Sequence, residues 1–595
     1  MTSQRRTGSP PGAESKRFGA GGKMFAGVGA GIAAGLVSAL GDGLAILLEN
    51  PRSFASLASG MRFLATAGLL QGMAGALGGL LLAGVLRLRP SRVFGCGVGF
   101  AIFAALGVRA HVRFLFGEPL LAPASLAANA GIALVAILGG VLATRIGRRL
   151  DEGGLVPFAA LSAATAISLA FLASDRVARE PARAPADPGA PDLLLVTLDT
   201  TRADHLSGYG YPRGTTPAID RLARRGTTFP VAHVPVPLTN PSHCSLFTGL
   251  EPDEHGVRNN GTALPDTIPT FVRDLAAAGY ACGAFVSGIP LKHGLSGLAP
   301  GFTHYDDVFS PLERAHPMTT SLAVVRVANR VLPGDLIERR ARDTCRAAIA
   351  WLEETSGPRF LWVHLFDPHS PYDAPAWRRD RYARDAAMTA EGRAANDWPI
   401  ADYDAELRET DRWLDVLLRT FERETAGRGV VWLTADHGEG LEQHGELTHG
   451  TQLFEEDLRV PLITSRRDAR EGAGEIARGS VFSTALPELM RETDWVGVFG
   501  TDVVRANTYP PEGRGRLTAV IGRLADGRWG KLWIDRVHGE ERGYDLDSDP
   551  SERRPVTPDA TFEPLRAFAG DGEPEAGHEL DPETERRLRS LGYTH

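Results

Sequence analysis

Cysteine is scarce. The four in 595 residues, Cys96, Cys244, Cys282 and Cys345, are too few and too scattered for a disulfide framework or a CxxC zinc site. Neither sign of charge dominates: 64 Lys and Arg face 72 Asp and Glu, a net charge of −8, and mean hydropathy is only −0.11. With 23% charged and 43% apolar residues, global disorder and a collagen-like fibre are excluded, and no nucleic-acid partner is expected. At roughly 100–200 residues per domain the length suggests about three to four structural units. The averages describe a mildly acidic soluble protein, but they conceal two halves built for different solvents.

Residues 24–48 run 25 residues with one charge, Asp42, and residues 63–86 run 24 with none. Further apolar stretches cover 93–108, 126–144 and 153–174. A hydrocarbon core of about 30 Å needs about 20 apolar residues in a helix, so about five transmembrane spans are expected, the third being the shortest. Arg5, Arg6, Lys16, Arg17 and Lys23 precede the first span; Arg87, Arg89 and Arg92, then Arg145, Arg148 and Arg149, fill the second and fourth loops. Keeping these basic loops inside sets the N-terminus in the cytoplasm and everything after the fifth span outside. Residues 1–23 read as a disordered basic tail. Asp42, six residues before its span ends, can reach the interface. Residues 175–191, rich in Pro and Ala, read as a stiff linker. Residues 1–174 carry 15 basic and 6 acidic side chains (+9) and the rest 49 and 66 (−17), so a basic membrane region precedes an acidic domain.

From Asp192 onward, apolar runs alternate with amphipathic helices. LLLVTL (193–198), 282–287, 360–366 and 430–434 read as buried strands, and 403–421 as a helix with Leu407, Leu414, Leu418 and Phe421 on one face. The alternation predicts a mostly parallel sheet covered on both faces, with chemistry at the carboxyl ends of its strands. Three of the four runs end on ligand-type residues: Asp199, then Asp367 and His369, then Asp436 and His437. Carboxylates and neutral imidazole are what a divalent cation requires. In PLTNPSHCSLFTG (237–249), Pro241 suits the first helical position, which sets Thr239 and Asn240 at or just before the cap. A hydroxyl there meets unpaired N–H groups and the positive end of the helix dipole, a position suited to a sulfate or phosphate ester.

Taken together, LDTTRADHLSGYGY (198–211), TNPSHCSLFTGLEPDEHGV (239–257), FLWVHLFDPHSPY (360–372), TADHGEGLEQHGELTHG (434–450) and RVPLI (459–463) closely resemble the sulfatase family of the alkaline phosphatase superfamily. WGKLWID (529–535), YDLDSDPSE (544–552) and LRSLGY (588–593) are similar to that family's small C-terminal subdomain. The resemblance implies an α/β catalytic domain over 192–480 and an α+β subdomain over 481–595. It also implies Asp199, Thr239, Asp436 and His437 as metal ligands, with Thr239 the nucleophile and His369 and His449 on the transferred group. Asp367, His369 and His449 could form a second metal site. His243, Lys292 and His293 are candidates for substrate contact, while His255 and His444 are not claimed as ligands.

Departures from the family shape the chemistry. Sulfatases typically carry Cys or Ser, followed by x-Pro-Ser-Arg, and oxidise it to formylglycine. Here the segment reads Thr239-Asn240-Pro241-Ser242-His243, threonine cannot become an aldehyde, and formylglycine is not expected. Thr200 stands where many sulfatases have a second Asp, and His437 replaces a frequent Asn. Fewer oxygen ligands and one imidazole favour Zn²⁺ or Mn²⁺ over Ca²⁺. The expectation is a membrane-anchored metal-dependent hydrolase of sulfate or phosphate esters, sited in the plasma (inner) membrane with its catalytic domain periplasmic or extracellular. An envelope phosphotransferase modifying a membrane glycan or lipid, and a non-catalytic glycan-binding membrane protein, are the alternatives.

Overall fold

The computed structural model describes residues 187, 189–309, 339–372, 374, 398–465, 475–476, 480–489, 503–509 and 516–570, together with the helix 123–146 and scattered positions in 28–39 and 67–100. The expected tail 1–23, the span 153–174 and the motif 588–593 lie outside them, as does most of the linker. The chain divides into two compact units, Met1–Val177 with Ser310–Leu336 and Ala178–Phe309 with Ile337–His595.

In the first unit, helix α1 (Pro123–Ile146) covers the expected span 126–144, with its side chains described over 133–145. Among the described residues, no helix is long and apolar enough to cross a membrane. Helical residues around 30–34 meet those around 93–97: Ala30 and Val93 share a small cluster with Ala83, and a Cβ at Gly97 would stand 2.7 Å from Cβ of Ala34.

In the second unit, the apolar run at β1 (Leu193–Leu198) is buried along its whole length. That is the signature of a strand covered on both faces. It lies between two parallel neighbours, β5 (Arg359–Leu365) and β6 (Val430–Ala435). Among the described residues nine strands form the central sheet, in the order β4-β3-β5-β1-β6-β7-β2-β8, with β9 also on β2. Here β2 is Gly226–His233, β3 Ala281–Phe285, β4 His304–Asp306, β7 Arg459–Ser465, β8 Glu475–Ile476 and β9 Ser480–Phe482. Pairing is parallel except where β7 joins β6 and β2. Because β9 still pairs with β2, the central sheet runs past residue 480.

Helices α2 (Pro217–Arg225), α3 (Thr239–Thr248), α4 (Ala341–Glu354) and α5 (Trp398–Glu424) belong to this unit. On α5, Leu407, Leu414, Leu417 and Phe421 are buried, and Leu418 only partly so. A four-stranded antiparallel sheet follows: β10 (Val503–Asn507), β11 (Leu517–Arg523), β12 (Trp529–Asp535) and β13 (Glu540–Asp545). One of its faces packs Val520, Leu532 and Ile534 against Phe562 and Leu565, beside helix α6 (Glu563–Ala569), and its other side joins the main core through Ala519, Ile521 and Trp533. Buried Lys531 ties the sheet to the catalytic domain through Glu455, at 3.0 Å, and the Leu453 carbonyl, at 3.1 Å.

Candidate active site

Three adjacent strands end together. The register aligns Leu198 with Ala435, so the next residues, Asp199 and Asp436, emerge side by side. Oδ1 of Asp436 accepts from the backbone N–H groups of Thr200 (3.2 Å) and His437 (2.9 Å), which leaves Oδ2 turned inward. That oxygen and both carboxylate oxygens of Asp199 are buried without a hydrogen-bond partner. His437 Nε2 lies 3.7 Å from Asp436 Oδ2 and 3.9 Å from Asp199 Oδ1. Burial pushes both carboxyls up to about 7; the Asp199 charge raises Asp436 further, and His437 pulls Asp199 back.

The tautomer of His437 follows from its other nitrogen. Nδ1 faces the Gly438 carbonyl at 2.9 Å and must donate to it, so Nε2 carries the lone pair and aims it at the two acids. Partnerless buried carboxylate oxygens are costly unless something pairs with them. A divalent cation fits that demand, and Asp199, Asp436 and His437 offer ligand atoms within 4.8 Å of one another.

Thr239 opens α3, whose cap residue is Leu238. Thr239 is thus the first helical residue and Pro241 the third, two places later than the sequence pattern predicts. Proline is tolerated there because the first N–H groups of a helix have no intrahelical acceptor. The N–H of Asn240 donates to Asn260 Oδ1 at 2.8 Å, and Ser242 Oγ donates to the Asp436 carbonyl at 2.6 Å, fastening the first turn to the acid cluster. Thr239 Oγ1 comes 3.4 Å from His437 Nε2.

His243 does not reach toward substrate. It is fully buried, its Nδ1 donates to the Thr239 carbonyl at 2.7 Å, and its Nε2 accepts from the Thr197 hydroxyl at 3.0 Å. That hydroxyl in turn accepts from Trp362 Nε1. Burial holds the ring neutral, its pKa near 3.

The remaining candidates divide. His369 and His449 come together, with ring centroids 5.1 Å apart, and His449 lies 4.2 Å from His437. Burial lowers His369 to about 3. Asp367 turns away from them: its Oδ2 accepts from the backbone N–H of Ala341 at 2.7 Å, the first residue of α4. The expected triad of Asp367, His369 and His449 is therefore not assembled, because a helix N-terminus took the carboxylate. Lys292 donates to the Asp307 carbonyl and stands 3.9 Å over the Phe309 ring, and His293 is exposed. His255 and His444 are held structurally, by Ser245 and by Glu456.

Two buried residues of this region are absent from the sequence reading. Glu439 accepts from His449 Nδ1 at 3.0 Å and from the Tyr372 hydroxyl, and burial pushes its carboxyl up to about 7. It sits two residues past His437, where the Gly438 and Glu439 N–H groups bond the carbonyls of Asp457 and Glu456. A Cβ on Gly438 would lie 1.8 Å from the Glu456 oxygen, so this close pairing requires glycine. The second residue is His364, inside β5. A polar residue in an otherwise apolar buried strand was the available signal for it. The four cysteines are all unbridged, with Cys244, Cys282 and Cys345 buried.

Residues 191–477 match the family model described as Sulfatase. The chain is 24% identical over 315 residues to the Delta 4,5-hexuronate-2-O-sulfatase of Bacteroides thetaiotaomicron, covering 46% of this chain and 61% of that protein. It is 23% identical over 449 residues to the ulvan-active sulfatase of Formosa agariphila, covering 68% and 82%. Among solved structures, the phosphonate monoester hydrolase of Agrobacterium radiobacter is similar at 19% identity and a TM-score of 0.47, with 64% of this chain and 94% of that one covered. The chain thus spans about three-fifths of the hexuronate sulfatase. Over residues 191–477 the chain is thus similar to the sulfatase family of ester hydrolases.

Proposed function

We propose that the chain is a membrane-anchored, metal-dependent hydrolase of sulfate or phosphate esters, with Thr239 as nucleophile. The observation that carries this reading is the approach of Thr239 Oγ1 to His437 Nε2, beside the partnerless oxygens of Asp199 and Asp436. Asp199, Asp436, His437 and Thr239 would hold one divalent cation, and two carboxylates with one imidazole favour Zn²⁺ or Mn²⁺ over Ca²⁺. Such a cation lowers the pKa of a bound hydroxyl and offsets charge on the transferred group.

Thr239 Oγ attacks sulfur or phosphorus in line, forming the new O–S or O–P bond as the bond to the alcohol oxygen breaks. The alcohol departs with a proton and leaves a Thr ester, which water then cleaves to sulfate or phosphate and free Thr239. The Nδ1–H of His449 donates to Glu439, so its Nε2 is the nitrogen able to exchange a proton with the reacting oxygens. The first turn of α3 brings backbone N–H dipoles to the anionic group. The sulfated-glycan names of the relatives support a sulfate ester on a glycan as substrate.

Exposed apolar side chains in the first unit support the membrane anchor. On α1, Leu134, Val135, Ile137, Leu138, Val141 and Leu142 are 48–62% exposed, a run too continuous for a helix facing water. The close Gly97–Ala34 approach is the small-residue packing typical of helices in lipid. Anchoring also favours a second reading, a transferase that passes the group on Thr239 to a membrane glycan or lipid instead of water.

The test uses full-length protein in detergent, loaded with Zn²⁺ or Mn²⁺ and offered aryl sulfate, phosphate monoester and phosphodiester. We expect turnover of at least one substrate, falling by about 10³-fold or more in Thr239→Ala. Turnover indifferent to that substitution would remove Thr239 from the mechanism.

A further inference from the structure

His364 is a fully buried titratable group beside the candidate metal ligands, and no step above uses it. It is the sixth residue of β5, aligned with Thr197 of β1. Neighbours in register on parallel strands point to the same face, which brings the ring next to the carboxyl end of β1. The side chains of His364 and Asp199 are both 0% exposed, and His364 Nε2 lies 3.3 Å from Asp199 Oδ2. At that distance the two atoms form no hydrogen bond of good geometry, and neither ring nitrogen has a hydrogen bond to any other group, so both Nε2 and Oδ2 are left to be satisfied by one another. Burial keeps the ring neutral, with its pKa lowered to about 4, so it carries one N–H and one lone pair.

The loop after β3 closes over this pair. A Cβ at Gly288 would stand 3.0 Å from His364 Cε1 and 3.6 Å from Asp199 Oδ2. Ser287 Oγ donates to the His364 carbonyl at 2.6 Å and accepts from Phe366 N–H at 3.0 Å, locking the loop onto the strand. The ring of His243 approaches nearly edge-on at 5.1 Å.

We propose that His364 is a positioning residue of the metal centre: it donates Nε2–H to Asp199 Oδ2, which turns Oδ1 toward the ion. The inference rests on reading Asp199, Asp436 and His437 as metal ligands. Oδ1 is the oxygen that faces His437 Nε2, at 3.9 Å, so the division of labour between the two oxygens is already drawn by the geometry. A second ion held by His243, His364 and Asp436, whose ligand atoms also lie within 4.8 Å, is ruled out by His243. Both of its nitrogens are committed, one donating to the Thr239 carbonyl and one accepting from Thr197. Two remaining groups are too few to hold a cation.

The experiment measures Zn²⁺ affinity of the full-length chain by competition with a chromophoric chelator, without substrate. Asp436→Asn tests the underlying reading: a wild type that binds no Zn²⁺, or an Asp436→Asn variant that binds as well as wild type, removes the metal site itself. Given binding, His364→Phe, which fills the space without a donor, weakens affinity about 10- to 100-fold, the usual effect of losing an outer hydrogen bond to a ligand. His364→Gln keeps an N–H at the Nε2 position and stays within about threefold of wild type. Should the Phe variant not fold, Gly288→Ala pushes the ring from Asp199 and weakens binding by about threefold or more. Unchanged affinity in His364→Phe and Gly288→Ala, or equal losses in the Phe and Gln variants, overturns the proposal. So does X-ray absorption that shows one zinc-bound imidazole lost in His364→Gln, because His364 would then be a ligand itself.

Discussion

Both ring nitrogens of His243 are engaged, one on the carbonyl of Thr239, the proposed nucleophile, and one on a hydroxyl of the central strand, so any part it plays in the proposed chemistry is played through Thr239. We expect His243→Ala to lower kcat about 10- to 100-fold with KM nearly unchanged, since a displaced nucleophile slows the step without loosening substrate. The buried groups left unpaired lower stability by about 1–3 kcal/mol. His243→Asn, with a donor at the Nδ1 position, recovers most of kcat; a rise in KM at constant kcat would instead make His243 a substrate contact. Asp199, Asp436 and His437 were legible in the sequence because they follow apolar strands directly, and Thr239 because it stands two residues before a proline that marks a helix's first turn. The same pattern misleads at Asp367, where a strand-end carboxylate serves a helix N-terminus. His364 and Glu439 were not legible: one reads as core, the other as loop, and only the sheet register and the Gly438 turn bring them inward.

Among the elements, α2 shows how a helix start can depend on a residue far along the chain. Its cap residue, Thr216, makes no side-chain capping bond, and the Ala218 and Ile219 N–H groups donate instead to Asp411 on α5, at 3.0 Å. Burial pushes Asp411 up to about 6, although those two N–H groups and Arg408 pull it down. A carboxyl whose folded pKa lies above its unfolded value contributes stability fully present below about pH 4 and lost as pH rises through about 6. Urea unfolding should therefore show Asp411→Asn gaining relative to wild type between pH 4 and 7, by up to about 3 kcal/mol. A constant difference across that range would mean that Asp411 does not titrate there. Apolar continuity predicts β1, β3, β5 and β6 to within two residues. It does not reveal β2, whose Pro230 interrupts the run and accompanies a bulge between Phe229 and Ala232 on the β7 edge.

At the scale of the whole molecule, the continuous apolar exposure of α1 falls within the basic part of the chain. Residues 1–174 carry +9 and the remainder −17, and the exposed large aliphatic side chains of α1 all fall in the first part. Exposing six of them to water along one short stretch would forgo about 1.5–3 kcal/mol for each side chain left unburied, which a lipid surround removes. β1 begins six residues, about 20 Å of strand, before Asp199. On the proposed membrane-anchored reading, an N-terminus held inside by its five basic residues and an odd number of spans would carry the second unit outside the cytoplasm. After expression of the full chain, we expect it to stay in the membrane pellet through an alkaline carbonate wash. A phosphatase reporter joined after residue 180, active only outside the cytoplasm, should be active, and a cytoplasm-dependent fluorescent reporter at the same point silent. Release by carbonate would return the apolar face of α1 to a protein interface, and the opposite pair of reporter signals would place the esterase inside the cell, where a periplasmic or extracellular glycan could not be its substrate.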